Sequence, residues 1–279
     1  MIDRSFLVTV LNYLANGVVT TYNNRATQIA PYQVIFVFKN NNVSVSKATA
    51  TSISVIDELV AKDTERLTVR LSATDASPYT YTTDEVEVWA STQNAMLYRI
   101  ATLQLSSPLS KGEQDYLHAE LEVIIQASGS YIASNVMPNS VTFSTPVSPI
   151  LFFFGLFLVP NWSNILRQNP TFPQSQLLSY IDPSTYSGIN IMYVGNEQAT
   201  ILSRLVGYGM GYVNMVINGE VSQQQTNPTI AIGFTSNGYV VPITYTVYSG
   251  TVTQYASIEI SVPYGQPTVI SQFETKTKG

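Results

Sequence analysis

The chain has 279 residues, enough for one large domain or two small ones, and either arrangement can bury a core. Only 11% of residues are charged, the formal net charge is −5, and no cluster of Lys or Arg occurs, which excludes a basic nucleic-acid-binding surface. With no Cys and a single His, disulfides, thiolate metal sites, a cysteine nucleophile and a His-rich metal centre are excluded as well.

Phe6, Leu7, Val10, Leu11 and Leu14 fall at helical spacing, which predicts a helix over residues 3–15 with Asp3 as N-cap and Gly17 as the stop. The β-branched Val8, Thr9 and Val10 keep a strand open there. From Gln33 the pattern turns to strands. Gln33–Phe38 is a β-rich run, Lys39–Asn42 reads as a turn and Val43–Ser46 starts the return strand. Leu67–Ser72 and Glu85–Trp89 alternate cleanly, Tyr98–Leu103 is another strand, and Leu117–Gln126 places Leu117, Ala119, Leu121, Val123 and Ile125 inward. Residues 127–149, rich in Ser, Asn, Pro and Thr, read as a linker.

The run Pro149–Pro160 is the most apolar stretch, and ten residues between prolines is about half of what a helix needs to span a bilayer. Its readings, in order, are a strand buried on both faces, an oligomer interface through Phe152, Phe153, Phe154 and Phe157, and a membrane-contacting segment. Asn196 as cap, Glu197 in the first turn, the stripe Ile201, Leu202, Leu205 and Val206, and Gly207 as the stop predict a helix over 197–206. Strands return at Thr229–Phe234, Ile243–Tyr248 and Ala256–Val262, with Asn237-Gly238 marking a hairpin.

The predicted fold class is therefore mainly β with a few helices (α+β). Residues 1–145 hold 22 of the 31 charged side chains, whereas 146–273 hold only Arg167, Asp182, Glu197, Arg204, Glu220 and Glu259. This split predicts an antiparallel, sandwich or jelly-roll-like β domain with an N-terminal helix over 1–145. A charge-poor β-rich domain follows over 146–273, and 274–279 is a solvated tail. The first residues lack the pattern of a secretory signal, so the chain is expected to be made in a cytoplasm and used as made. Scarce charge has two readings: a fold built from amides, hydroxyls and phenols that keeps its stability in acid, or a surface covered by a partner.

Candidate chemistry fails on context. His118 lies on the outward face of a strand beside Glu120, which suits a surface role. Ser44-Val45-Ser46-Lys47 matches a penicillin-binding pattern but sits in a strand, where that Ser should open a helix. Gly207–Gly211 follows a predicted helix and has no Lys, so it reads as a connection and not a nucleotide loop. Asp84, Glu85 and Glu87 read as a solvated strand face, and Asp57, Glu58, Asp63 and Glu65 as a charged loop. Neither group has the spacing of a Ca loop. Asn42 and Asn161 open glycosylation sequons.

Tyr79-Thr80-Tyr81-Thr82-Thr83-Asp84-Glu85-Val86-Glu87-Val88, then Tyr98-Arg99-Ile100-Ala101, then Pro108-Leu109-Ser110-Lys111 and the alternating Leu117–Gln126 form one pattern. It resembles β-domains in structural proteins of viruses of hyperthermophilic archaea, and the composition resembles virion proteins of the spindle-shaped and two-tailed (bicaudavirus-like) kinds. The resemblance covers about 125 residues, and the second half departs from it. It implies a virion location, a coat, tail or appendage role without catalysis or cofactor, and partners that are further copies of the chain and other virion proteins. No nucleic acid or small-molecule substrate is implied. A host-surface or glycan-binding module using Tyr22, Tyr32, Tyr79, Tyr81 and Tyr131 is the second expectation. A hydrolase using Glu85 and Glu87 is the third.

Overall fold

Helix α1 (Arg4–Asn16) forms where the apolar stripe predicts it, and Asp3 caps it by accepting from Ser5 N at 2.9 Å. Gly17 ends the helix in the left-handed region and packs against the backbone of Ser187, where a Cβ would stand 2.5 Å from a carbonyl carbon. The computed structural model describes residues 1–18, 29–128, 136–263 and 268–277.

After α1 come β1 (Gln33–Asn40), β2 (Val43–Ala61), β3 (Thr64–Asp75), β4 (Tyr81–Ser91), β5 (Met96–Lys111) and β6 (Asp115–Ser128). Then follow α2 (Pro149–Leu158), α3 (Trp162–Gln168) and a 3-10 helix (Pro173–Ser179). The remaining strands are β7 (Ile191–Val194), β8 (Glu197–Gln198), β9 (Thr200–Tyr208), β10 (Tyr212–Glu220), β11 (Gln225–Thr226), β12 (Thr229–Ser236), β13 (Tyr239–Val247), β14 (Thr251–Val252), β15 (Tyr255–Pro263) and β16 (Thr268–Thr277).

The first-half strands, with β16 added at one edge, form an antiparallel sheet in the order β16-β6-β3-β2-β1-β4-β5, curled into a half-barrel. Its concave lining follows the period-two pattern, with Leu67, Val69, Leu71 and Ala73 of β3 opposite Ile125, Val123, Leu121 and Ala119 of β6. Asn41 and Asn42 both take positive φ in the β1–β2 turn, as a two-residue hairpin requires. Smaller sheets β15-β10-β9 and β13-β12-β7-β8 complete the β structure, with a two-stranded β11-β14 pair. One apolar core runs through both halves, from Phe6 and Val69 to Phe234 and Ile258.

Three expectations are corrected. The apolar run 149–158 is helix α2, not a strand. Ser148 and Pro149 start it, and a helix pairs its own backbone, so no neighbouring strand is needed. Phe152, Phe153, Phe154 and Phe157 are fully enclosed inside the chain and present no surface to a partner or a bilayer. Residues 197–206 are β8 and β9, not a helix. A register shift opposite Asn218 and Gly219 inserts an extra residue into β9, and this turns a bulged strand into an apparent helical stripe. Ile201 and Val206 pack on the core while Leu202 and Leu205 face solvent. Residues 274–277, expected in a solvated tail, are exposed but continue β16, paired with His118 to Asp115 of β6.

Aromatic rings hold α2 in place. Tyr13 of α1 lies 5.7 Å from Phe153 and 5.5 Å from Phe157, and Tyr186 lies 4.8 Å from both Phe153 and Phe234. The phenols also satisfy carbonyls in the last turns of the helices. Tyr186 donates to Leu14 O and Tyr98 to Phe157 O at 2.6 Å. Trp162 lies flat over Gly155, where a Cβ would stand 2.3 Å from its Cε2. Gly155→Ala therefore tests packing against propensity. Alanine favours an isolated helix by about 1 kcal/mol, but displacing the indole costs about 1–3 kcal/mol. The variant is expected to melt at a lower temperature than wild type.

Candidate functional site

The described chain gathers its buried polar chemistry at three places, and the deepest is an acid pair. Asp57 on β2 and Glu65 on β3 share the inward parity of Leu67, Val69 and Leu71. They meet where α2 and the 3-10 helix begin. Ser148 N donates to Glu65 Oε2 at 2.7 Å, Gln174 N to Asp57 Oδ2 at 2.8 Å, and Gln174 Nε2 to Glu65 Oε1 at 2.6 Å. Two adjacent carboxylates shut away from water do not both ionise. Burial, then the Asp57 charge, then the hydrogen bond to Asp57 push the Glu65 carboxyl up to about 9. Burial also raises Asp57, against the opposing pull of Gln174 N–H and of Glu65. Glu65 thus keeps its proton and donates it to Asp57. The charged-loop reading of Asp57, Glu58, Asp63 and Glu65 is corrected. Only the turn carrying Asp63 is exposed loop, Glu58 pairs with Arg66 on the hairpin surface, and the other two acids fasten α2 to the sheet.

The second place is the convex side of β1, β4 and β5. Glu85 and Glu87 face away from Val86 and Val88 as expected, but they are buried and not solvated. Lys39, which pairs with Glu85 across β1 and β4, reaches both at 3.1 and 3.2 Å. Arg99 bridges Glu87 at 2.7 Å and Asp3 at 2.6 Å, and Trp89 Nε1 donates to Glu87 at 2.9 Å. Hydrogen bonds from Trp89, Arg99 and Lys39, together with the Lys39 charge, outweigh burial and hold Glu87 below its usual range. The partners Ser5 and Arg99 do the same for Asp3. Glu85 and Glu87, the two carboxylates named for a hydrolase, both lie in ion pairs with Lys39.

The third place is a loop clasp. Lys111, fully buried, donates to the carbonyls of Ser77, Tyr79 and Gly112. Asp75 accepts from Ser46 and Tyr81 hydroxyls, both at 2.6 Å. These contacts hold Asp75 below its usual range despite burial. Tyr81 is thus a structural phenol, Tyr79 is an exposed loop residue, and Tyr22 and Tyr131 lie outside the described residues. Tyr32 edges an uncharged groove of about 580 Å³ with Gln33, Asn161, Trp162, Ser163 and Asn164.

His118 sits on the outward face as expected, its Nδ1 3.0 Å from Thr74 Oγ1, beside a shallow groove with Tyr116, Glu274 and Lys276. Ser44 lies within β2, and Gly207–Gly211 spans the β9–β10 turn. Asn42 is exposed at the β1–β2 turn, and Asn161 is exposed as the cap residue of α3. No group of three or more His, Asp or Glu placed to hold a metal occurs among the described residues. Among them no single helix is long and apolar enough to cross a membrane. α2 and α3 together have the length and composition but bend by 118°.

Comparison with known proteins decides the family. The chain is 56% identical over 284 aligned positions to the candidate transmembrane protein ORF289 of Acidianus filamentous virus 2 (isolate Italy/Pozzuoli), covering all of this chain and 98% of that protein. The chain belongs to this family of archaeal virus proteins. A second relative, protein 53 of Sulfolobus islandicus filamentous virus (isolate Iceland/Hveragerdi), is 23% identical over 263 positions, covering 83% of this chain and 78% of that protein. Both relatives come from filamentous viruses, so the archaeal-virus expectation holds while the spindle-shaped and two-tailed assignment finds no support. No family model and no solved structure matches the chain.

The acid pair and the ion pairs act in opposite directions with pH. Glu65 is raised above its ordinary 4.5, so its contribution is complete below that value and is lost as pH rises toward about 9. Asp3, Asp75 and Glu87 are lowered, so theirs is present above the ordinary values of 3.8 and 4.5 and is lost as pH falls below them. Stability measured by urea unfolding is expected to peak in mildly acid solution, on the order of pH 4–5. In Glu65→Gln, where the amide mimics the protonated acid, the alkaline limb is expected to flatten. Glu65→Ala, which strands Ser148 N and leaves Gln174 Nε2 with Ser148 O alone, is expected to lose about 1–3 kcal/mol across the whole range.

Proposed function

We propose that the protein is a non-enzymatic structural component of a filamentous archaeal virus particle, in coat, tail or appendage, and works by packing on copies of itself and on other virion proteins. The viral family supplies the context. The observation that carries the reading is the surface of the second half. Leu202, Leu205, Tyr239, Val247, Tyr248 and Tyr255 are exposed in a stretch, 202–255, whose only charged residues are Arg204 and Glu220. Tyrosines with little surrounding charge are typical of the centres of protein interfaces, where charged groups are depleted. The buried carboxylates and lysine support the same reading, because the described ones serve the fold through ion pairs and backbone contacts. The proposal needs no cofactor, nucleic acid or substrate.

Mass spectrometry of purified virions is expected to find the chain at an abundance comparable with other particle proteins. Light scattering after size exclusion is expected to show an oligomer. Absence from virions together with a strict monomer across pH 2–7 removes the proposal.

A host-surface module is the second reading, favoured by the groove at Tyr32. Aromatic faces beside amides and a hydroxyl, with no charge, suit a sugar. Tyr32→Ala abolishing binding to purified cell envelopes, with virion incorporation unchanged, is the result expected of this reading.

A further inference from the structure

β9 and β10 are joined by Tyr208-Gly209-Met210-Gly211-Tyr212. Gly209 N donates to Tyr212 O at 3.0 Å, which leaves Met210 and Gly211 as a two-residue turn. Gly211 takes φ +90°, open to glycine at little cost. So tight a turn gives Met210 nothing to fold against, and its side chain is 96% exposed, with Tyr208 at 61% and Tyr212 at 41% on either side.

A single exposed apolar residue needs no explanation. Here three exposed apolar side chains meet at one tip, and Leu205 and Leu202 are exposed further along β9. β9 is also an edge strand, a position that soluble proteins commonly guard with a charge. From Gln198 to Gly219 the only charge is Arg204, and its Nε donates inward to Ile189 O. Against the tip stands Arg4 of α1, whose guanidinium lies 3.9 Å from the centre of the Tyr208 ring.

We infer that this hairpin tip docks on a lipid surface. Met210 enters the acyl region, Tyr208 and Tyr212 lie at headgroup depth, and Arg4 meets an anionic headgroup. Tyrosine suits that depth because its ring is apolar and its hydroxyl is wet. A protein partner is disfavoured by area. A stable interface buries roughly 800 Å² on each side, which five residues at a protruding turn do not supply, whereas a bilayer accepts a narrow probe without matching its shape. The contact differs from a membrane span. The apolar helix α2 stays in the core, and the β9–β10 turn makes the contact instead. It is also independent of the assembly reading, since it uses only Arg4 and residues 208–212.

The test is flotation of the purified full chain with vesicles of phosphatidylcholine, with and without phosphatidylglycerol as a minor anionic component. Wild type is expected to float with both and more strongly with the anionic ones. Met210→Asp is expected to lower the bound fraction about tenfold or more, with an unchanged melting temperature because the side chain touches nothing. Arg4→Gln is expected to remove the preference for anionic vesicles and leave binding to neutral ones. The inference is overturned if wild type floats with neither, or if Met210→Asp floats as wild type does. It is also overturned if light scattering shows Met210→Asp dissociating an oligomer that itself binds no vesicles, since the tip is then a contact between copies.

Discussion

A helix with no polar face must be enclosed on every side, and α2 imposes that requirement on the whole chain. Its ten residues include four phenylalanines and two leucines that are fully buried. α1 covers one side, the inner face of the curled sheet another, and β12 and the segment around Tyr186 a third. The carbonyls at the end of α2 sit too deep for water, so Tyr98 brings a hydroxyl to Phe157 O. The N-terminal end is held through Ser148 by the proton-sharing acids of the β2–β3 hairpin. Tyrosine suits this core because each ring fills volume and carries one donor to a buried carbonyl.

Charge is scarce in this protein but is used inside it. The ionised groups of the first half are drawn into networks that tie strand to strand and strand to helix: Asp3 with Arg99, Glu87 with Lys39, and Asp75 with two hydroxyls. Scarce charge alone therefore does not make this fold indifferent to acid. Asp3, Asp75 and Glu87 work ionised, whereas the Asp57–Glu65 pair works with a proton retained. The second half has few such ties and is held by apolar packing and backbone pairing.

Much of the fold was legible because period decides it. The stripe in α1, the alternation of β3 and β6, and the Asn-rich turn after β1 each carry one unambiguous pattern. Two elements misread for physical reasons. A short run that is apolar throughout, such as 149–158, has no period, so Phe152 to Phe157 fit a buried strand as well as a buried helix. In β9 a bulge at Leu202 shifted the alternation into a helical spacing, and Asn196 and Glu197 supplied a false cap. The acid pair was legible in part, because Glu65 occupies the inward parity of β3, where a carboxylate needs a partner. The partners, Ser148 and Gln174, are remote in sequence and carry no local signal. The quoted motif from Tyr79 to Lys111 marks residues that hold the sheet together, which explains why it reads as β pattern and not as chemistry.

β16 lies beside β6 in the large sheet, yet residues 129–267 separate the two strands in the chain. β16 is therefore synthesised well after β6. Until it emerges, the backbone of β6 is an open edge while most of the core is already available to collapse. Closing that edge brings together segments far apart in sequence, the slow kind of contact in folding. A copy cut short before β16 presents β6 as the outer strand in its place. The order of synthesis thereby decides which backbone the sheet shows to its neighbours at each stage.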